Sequence, residues 1–242
     1  MPRPDFYSLS TARSGLKSAV VLLTALFLAI FANAARAETP AGCASPPTSE
    51  LVAYRCKFYD GDMANAVVPA RDWIKWRAAY AHNPALVLDI DETSLSTWEV
   101  MYHNHFVYVA DGPCNLRKAS LCGQRVWEHM ARAPAIKPTR DLFDFAKARH
   151  VAVFFVTGRD EGAVERAATE QNLRRAGYAG WKHLYFRTGG FGGVGPFKTW
   201  ARGQIEAHGY TIIANVGDQW SDLDGGHAER VFKLPNPFYT IP

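Results

Sequence analysis

The sequence predicts an α/β fold, a parallel sheet flanked by helices. Unbroken apolar runs such as Ala85-Leu86-Val87-Leu88 and Val151-Ala152-Val153-Phe154-Phe155-Val156 read as strands buried on both faces. Longer stretches of helical pattern lie between such runs, the alternation expected of parallel βαβ units. Three of the runs pass directly into Asp, Thr or Gly, and the carboxyl edge of such a sheet is where ligands bind.

The elements are expected in the following order. Arg3, Arg13 and Lys17 precede an apolar run from Ala19 to Ala32, and Ala35-Arg36-Ala37 has the form of a cleavage site. This pattern predicts a secretory signal peptide over 1–37, because the run is shorter than the roughly 20 residues of a membrane span. The remaining 38–242 is expected to be one domain, with no stable membrane anchor after cleavage. Residues 38–50 read as a loose start. A helix should follow, with Val68, Trp73, Ile74 and Trp76 to Tyr80 on its apolar face and Pro84 beyond its end. The first strand is 85–89. Residues 94–137 then break the rhythm and are read as a small, mainly helical cap inserted after that strand.

Pro138-Thr139 opens the next helix, with Leu142, Phe143, Phe145 and Ala146 inward. After strand 151–156, Arg159-Asp160 starts a helix carried by Val164, Ala167, Ala168 and Leu173 and stopped by Gly177. Leu184-Tyr185-Phe186 is a short strand. A Gly-rich loop from Thr188 to Gly195 leads to a helix over 197–208, and strands at 211–216 and 231–234 complete the sheet.

Charge and cysteines narrow the function classes. Most of the formal net charge of +4 falls in the leader, where Arg3, Arg13, Lys17 and Arg36 face only Asp5. No basic surface suited to a nucleic-acid polymer is left. The four cysteines of an exported chain favour disulfides, and closeness in sequence favours Cys43–Cys56 and Cys114–Cys122 among the three pairings. Neither pair has the C-x-x-C spacing of a zinc site.

The chemistry is concentrated in Asp89-Ile90-Asp91-Glu92-Thr93, which leaves the carboxyl end of the first strand. Two carboxylates so placed suit phosphoryl chemistry: Asp89 attacks phosphorus, Asp91 handles the proton, and a divalent cation neutralises the charge between them. Val156-Thr157-Gly158-Arg159 ends the second strand, where a hydroxyl and a glycine backbone at a helix N-terminus can hold phosphate oxygens. Lys198 supplies a compact positive charge. Gly217-Asp218-Gln219-Trp220-Ser221-Asp222 delivers two more carboxylates to the same edge, and hard oxygen ligands of this kind suit Mg2+. Each piece has a bland reading as a cap or a solvated charge; their joint order after the strands favours a site.

Other signals carry less. Gly190-Phe191-Gly192-Gly193-Val194-Gly195 fits G-x-G-x-x-G, but a dinucleotide fold needs another βαβ half, so a loop delivering Lys198 is the better reading. His103-Asn104-His105 reads as polar surface. Trp98, Tyr102, Phe106 and Tyr108 suit stacking on a substrate ring and packing of the cap equally.

Taken together the motifs resemble the haloacid dehalogenase superfamily, and within it the secreted acid phosphatases related to bacterial class B and class C enzymes and plant vegetative storage proteins. Besides the motifs already quoted, the resemblance rests on Asn172-Leu173, Ala176-Gly177-Tyr178, Gly180-Trp181 and Phe232-Lys233-Leu234-Pro235-Asn236-Pro237. It implies a Rossmann-like core and an aspartyl-phosphate formed on Asp89. It implies that Asp91 protonates the leaving alcohol, then activates water, and offers its backbone carbonyl to Mg2+. Thr157, Gly158 and Lys198 are implied to bind the phosphoryl group. Asp89 and Asp218 are implied metal ligands, with Asp222 a ligand or the orienter of one. The implied substrates are small phosphate monoesters, nucleoside monophosphates among them, in the periplasm or outside the cell. A non-enzymatic storage or binding protein, or a phosphotransferase to alcohols, are the alternatives. An acidic optimum follows if Asp91 must be protonated, so activity rising steadily from about pH 5 to 9 would contradict it.

Overall fold

The structure, a computed structural model, describes residues 48–241. The leader and Cys43 lie outside the described residues. Two helices come first, α1 (Thr48–Lys57) and α2 (Tyr59–Arg77). They are followed by β1 (Pro84–Leu88), α3 (Trp98–His103), α4 (Gln124–His129), α5 (Lys137–Lys147) and β2 (Ala152–Asp160). Then come α6 (Ala163–Arg175), β3 (His183–Arg187), α7 (Val194–Ala207), β4 (Thr211–Gly217), α8 (Trp220–Leu223) and β5 (Val231–Lys233).

The strands form one five-stranded parallel sheet in the order β3-β2-β1-β4-β5. Alternate side chains of each strand face opposite layers. Leu86, Leu88, Val153, Phe155 and Ile213 join Met63, Val67 and Ile74 of α2 and Leu142 and Phe143 of α5 in one cluster. Ala85, Val87, Phe154, Val156 and Ile212 join Phe197, Ala201 and Ile205 of α7 in another. Both faces are therefore covered, which is why the strands read as unbroken apolar runs.

Several boundaries differ from the sequence reading. The buried face of α2 is Tyr59, Met63, Val67, Ala70 and Ile74, whereas Trp76 and Tyr80 are 57% and 74% exposed and Val68 is also exposed. The true stripe recurs every three or four residues from Tyr59 onward; the aromatic residues drew attention to the wrong face. β2 runs on to Asp160, so Arg159 and Asp160 are strand residues and α6 starts only at Ala163. Pairing past a register shift holds this extension, with Asp160 opposite Arg187 and the Glu161 N–H donating to the Arg187 carbonyl at 2.8 Å. In α6 the inward residues are Ala168, Thr169, Asn172 and Leu173, while Val164 is exposed. α7 begins three residues earlier than expected, at Val194.

Between β1 and α5 the chain makes the two six-residue helices α3 and α4 and a loop closed by the Cys114–Cys122 disulfide. Bridging so short a loop stabilises by about 2 to 3 kcal/mol. Cys56 is exposed and has no bridge among the described residues; Cys43, its expected partner, lies outside them. Among the described residues no helix is long and apolar enough to cross a membrane.

Candidate active site

Strand order reverses between β1 and β4, and the crevice at the carboxyl ends of these two strands receives the acidic motifs. Asp89 follows β1 directly. Its N–H donates to the Val216 carbonyl of β4 at 3.1 Å, and its own carbonyl accepts from Ser94 Oγ at 2.6 Å. The turn that follows folds back on itself, with the Ile90 carbonyl accepting from the N–H groups of Ser94 and Leu95, both at 2.8 Å. Glu92 stands in this turn with φ +55°, a left-handed backbone. Its buried carboxylate fastens the turn, accepting from the Tyr59 hydroxyl, the Thr97 N–H at 2.8 Å and Thr97 Oγ1 at 2.6 Å.

Asp218 and Asp222 approach from beyond β4. Asp218 accepts from Thr93 Oγ1 at 2.9 Å, Gln219 Nε2 at 2.6 Å and Asn236 Nδ2 at 2.8 Å. Asp222 accepts from the Gln219 N–H at 2.8 Å. A Cβ on Gly217 would lie 2.3 Å from that of Asp222, so only glycine lets this carboxylate fold back over the strand end. Lys198, in the second turn of α7, donates to Asp89 Oδ1 and to Asp222 Oδ1, the latter at 2.6 Å. One carboxylate oxygen from each of Asp89, Asp218 and Asp222 lies within 4.8 Å of the others. Among the described residues Lys198 is the sole cationic side chain hydrogen-bonded to these three carboxylates.

The structure thus brings together Asp89, Lys198, Asp218 and Asp222. Asp91 stands on another wall and its carboxylate is not part of the acidic cluster. Arg159 grips it in a fork, with Nε and Nη2 donating at 3.0 and 2.7 Å. Thr157 is fully buried, its Oγ1 accepting from the Arg159 N–H at 3.2 Å, while Gly158 borders the cavity. Both sit within β2, so the expected helix N-terminus behind them is absent.

The cavity at this edge encloses about 220 Å³. Asp89, Asp91, Lys198 and Asp222 line it, with Gly158, Arg159, Glu128, Tyr108 and Tyr239. Of the four aromatic residues considered for stacking, only Tyr108 reaches it. Trp98 and Phe106 pack on Phe238, with ring centroids 5.2 and 6.0 Å apart, and Tyr102 is exposed. His103 meets the Ser120 carbonyl at 3.0 Å, and no histidine joins a metal-type cluster among the described residues. The Gly-rich loop leads into α7, and its Phe191 packs on Phe197 and Trp200.

Burial dominates the electrostatics. It pushes the Asp218 carboxyl up to about 7, with Asp222 adding to the rise and the three neutral donors opposing it. Burial also raises Asp89, against the pull of Lys198. Lys198 keeps its proton, because Asp222 and Asp89 outweigh the cost of burying an ammonium. Burial pushes Glu128 up to about 7 against the pull of Arg159.

These shifts fix the sign of a pH effect on the metal-free chain. Asp218 and Glu128 are raised from ordinary values of 3.8 and 4.5 to about 7. Their contribution is whole below about pH 4 and is lost as pH rises to about 7, because the folded state then holds more protons than the unfolded one. Thermal melts in EDTA are expected to show Tm falling across that window, and a flat or rising Tm would contradict the assignment.

Arg159, Glu128 and Glu92 received no role from the sequence. Arg159 and Glu92 sit inside the quoted motifs, which was the available signal. Glu128 lies in a segment without periodic pattern, and nothing in the sequence marks it.

Comparison with known proteins places this geometry. The profile of the HAD superfamily, subfamily IIIB (acid phosphatase), matches residues 10–242. Acid phosphatase 1 of Solanum lycopersicum is 33% identical over 158 residues, 64% of this chain and 58% of that protein. The stem 28 kDa glycoprotein of Glycine max is 37% identical over 120 residues, 48% of this chain and 46% of that protein. Vegetative storage protein 1 of Arabidopsis thaliana is 30% identical over 158 residues, 64% of this chain and 55% of that protein. The chain thus spans about half the length of the relatives it matches. Among solved structures, the class C acid phosphatase from Bacillus anthracis shares the fold with a TM-score of 0.58 at 19% identity, covering 80% of this chain and 86% of that one. With a family profile running through every motif at the crevice, the chain belongs to subfamily IIIB of the HAD superfamily, the acid phosphatases.

Proposed function

We propose that this chain hydrolyses small phosphate monoesters as an exported, Mg2+-dependent acid phosphatase. The observation that carries the reading is Lys198 clasped between Asp89 and Asp222 beside Asp218 at the sheet edge. The donor set fits a hard divalent cation: all its side-chain atoms are carboxylate oxygens, and three buried carboxylates meet one ammonium. Asp218 in particular is hydrogen-bonded only by neutral groups. Asp89, Asp218 and Asp222 would hold the ion, with the Asp91 carbonyl completing the set. When bound, the cation offsets charge on the phosphoryl group and on the carboxylates around it.

The chain's own groups supply the rest. With Oδ1 engaged by Lys198, Asp89 attacks phosphorus through Oδ2. The phosphorus–alkoxide bond breaks as the aspartyl-phosphate forms. Asp91, aimed by Arg159, gives its proton to the leaving oxygen and then takes one from the water that cleaves the intermediate. Lys198 and the Thr157-Gly158 backbone hold the phosphoryl oxygens. Most of the catalysis is positioning and charge neutralisation. A cavity of about 220 Å³ suits small esters rather than a nucleic-acid polymer, and nucleoside monophosphates are candidates by family resemblance. The leader pattern and the Cys114–Cys122 bridge support export.

The test is hydrolysis of p-nitrophenyl phosphate at mildly acidic pH, with Mg2+ and after EDTA. Activity is expected with the metal, is expected to vanish with the chelator and should return on adding Mg2+. A folded, metal-supplied protein without activity would instead support a storage role, as the names of some relatives suggest. Alkyl phosphate formed in added glycerol would mark phosphotransfer.

A further inference from the structure

The buried guanidinium of Arg159 has two acidic neighbours. Beyond its fork onto Asp91, its Nη1 donates to Thr169 Oγ1 at 2.9 Å, and its Nε lies 3.7 Å from Glu128 Oε1. Glu128 belongs to α4, in the segment between β1 and α5, whereas Arg159 belongs to β2. The Glu128 side chain is 12% exposed, and Gln124 Nε2 donates to its carboxylate at 3.1 Å. Arg159, Asp91 and Glu128 all border the cavity that holds Asp89 and Lys198.

A guanidinium fork is also the best side-chain partner for a phosphoryl dianion. An arginine on the wall of a phosphate-binding cavity therefore has two competing positions, on Asp91 or on the substrate. A second carboxylate beside its Nε, 3.7 Å away, favours the first. Pairing with the substrate would strengthen ground-state binding, which does not speed the chemical step, and would release the carboxylate that must meet the leaving oxygen.

We propose that Glu128 is a positioning residue that holds Arg159 on Asp91 and away from the phosphoryl group. The inference rests on the phosphatase reading above. It makes the segment between β1 and α5 a contributor to turnover through one charge rather than a passive cover.

The test combines steady-state kinetics on p-nitrophenyl phosphate in Mg2+ with calorimetric binding of inorganic phosphate, for the parent, Glu128→Gln and Glu128→Asp. Both are followed from mildly acidic pH up to about pH 8, with the variants compared at the upper end, where Glu128 is ionised. Glu128→Gln is expected to lower kcat about tenfold, the scale of losing an outer positioning partner. KM and the Kd for phosphate should fall together several-fold as Arg159 turns to the anion. Glu128→Asp should lie between. In an Arg159→Lys background, Glu128→Gln should leave phosphate binding unmoved, because its effect runs through the fork. Unchanged or weaker phosphate binding in Glu128→Gln overturns the inference, as does the same shift in both backgrounds. If the Gln variant fails to fold, the Asp variant carries the same test with a smaller shift. An active parent with unmoved variants sinks this inference alone; an inactive parent sinks the functional reading and this inference with it.

Discussion

Asp89→Asn is expected to lower turnover by roughly 10⁴-fold or more, the scale on which loss of a nucleophile is felt, while leaving the fold intact. Asparagine has nearly the shape of aspartate. Its amide oxygen can still accept from Lys198, and the backbone bonds to Val216 and Ser94 do not involve the side chain. The substitution also removes one of three crowded buried carboxylates, so metal-free stability should hold or rise. What it removes is the oxygen that the proposed reaction uses to attack phosphorus. Initial rates beside thermal melts separate the two effects. A variant turning over at a rate comparable with the parent would mean that the attacking oxygen lies elsewhere in the cavity.

Lys198→Met should be the most damaging change to stability. Methionine matches the length of the stem but leaves Asp89 and Asp222, both buried, without the ammonium between them. Removing one partner of a buried pair costs about 3–5 kcal/mol, because a charge stays buried and uncompensated. Here two carboxylates face each other with Asp218 beside them. A divalent cation bound only by the folded state should recover part of the loss. Urea unfolding with Mg2+ and with EDTA measures both quantities. If the variant is as stable as the parent in EDTA, Lys198 is not the charge that makes the cluster tolerable.

How much of this was legible in the sequence depends on what each residue needed. The strands were legible because burial on both faces leaves an unbroken apolar run, and Asp89, Asp218 and Asp222 followed because they sit at the ends of such runs. Lys198 was found through its place after the Gly-rich loop. The face of α2 was misassigned because Trp76 and Tyr80 outweighed a sparser stripe containing Ala70. The end of β2 was misassigned because Arg159 and Asp160 are charged, and charged residues read as surface. Only tertiary pairing shows that Arg159 is buried against Asp91 and that Asp160 lies opposite Arg187. Glu128 and the Tyr59–Glu92 contact were out of reach for the same reason: each owes its burial to a distant partner.

The parallel sheet has a consequence for the order in which the molecule can be built. β1 lies at the centre, and Pro84 pairs with Thr211 while Ala85 pairs with Ala152. Lys198 reaches back 109 residues to Asp89, and Thr93 reaches forward 125 residues to Asp218. No local hairpin can nucleate such an arrangement, and contacts this distant in sequence slow folding. During vectorial synthesis β1 waits with one edge unpaired until β4 emerges. The acidic crevice is therefore among the last features to assemble, and a chain still being made carries its carboxylates in water, apart from one another.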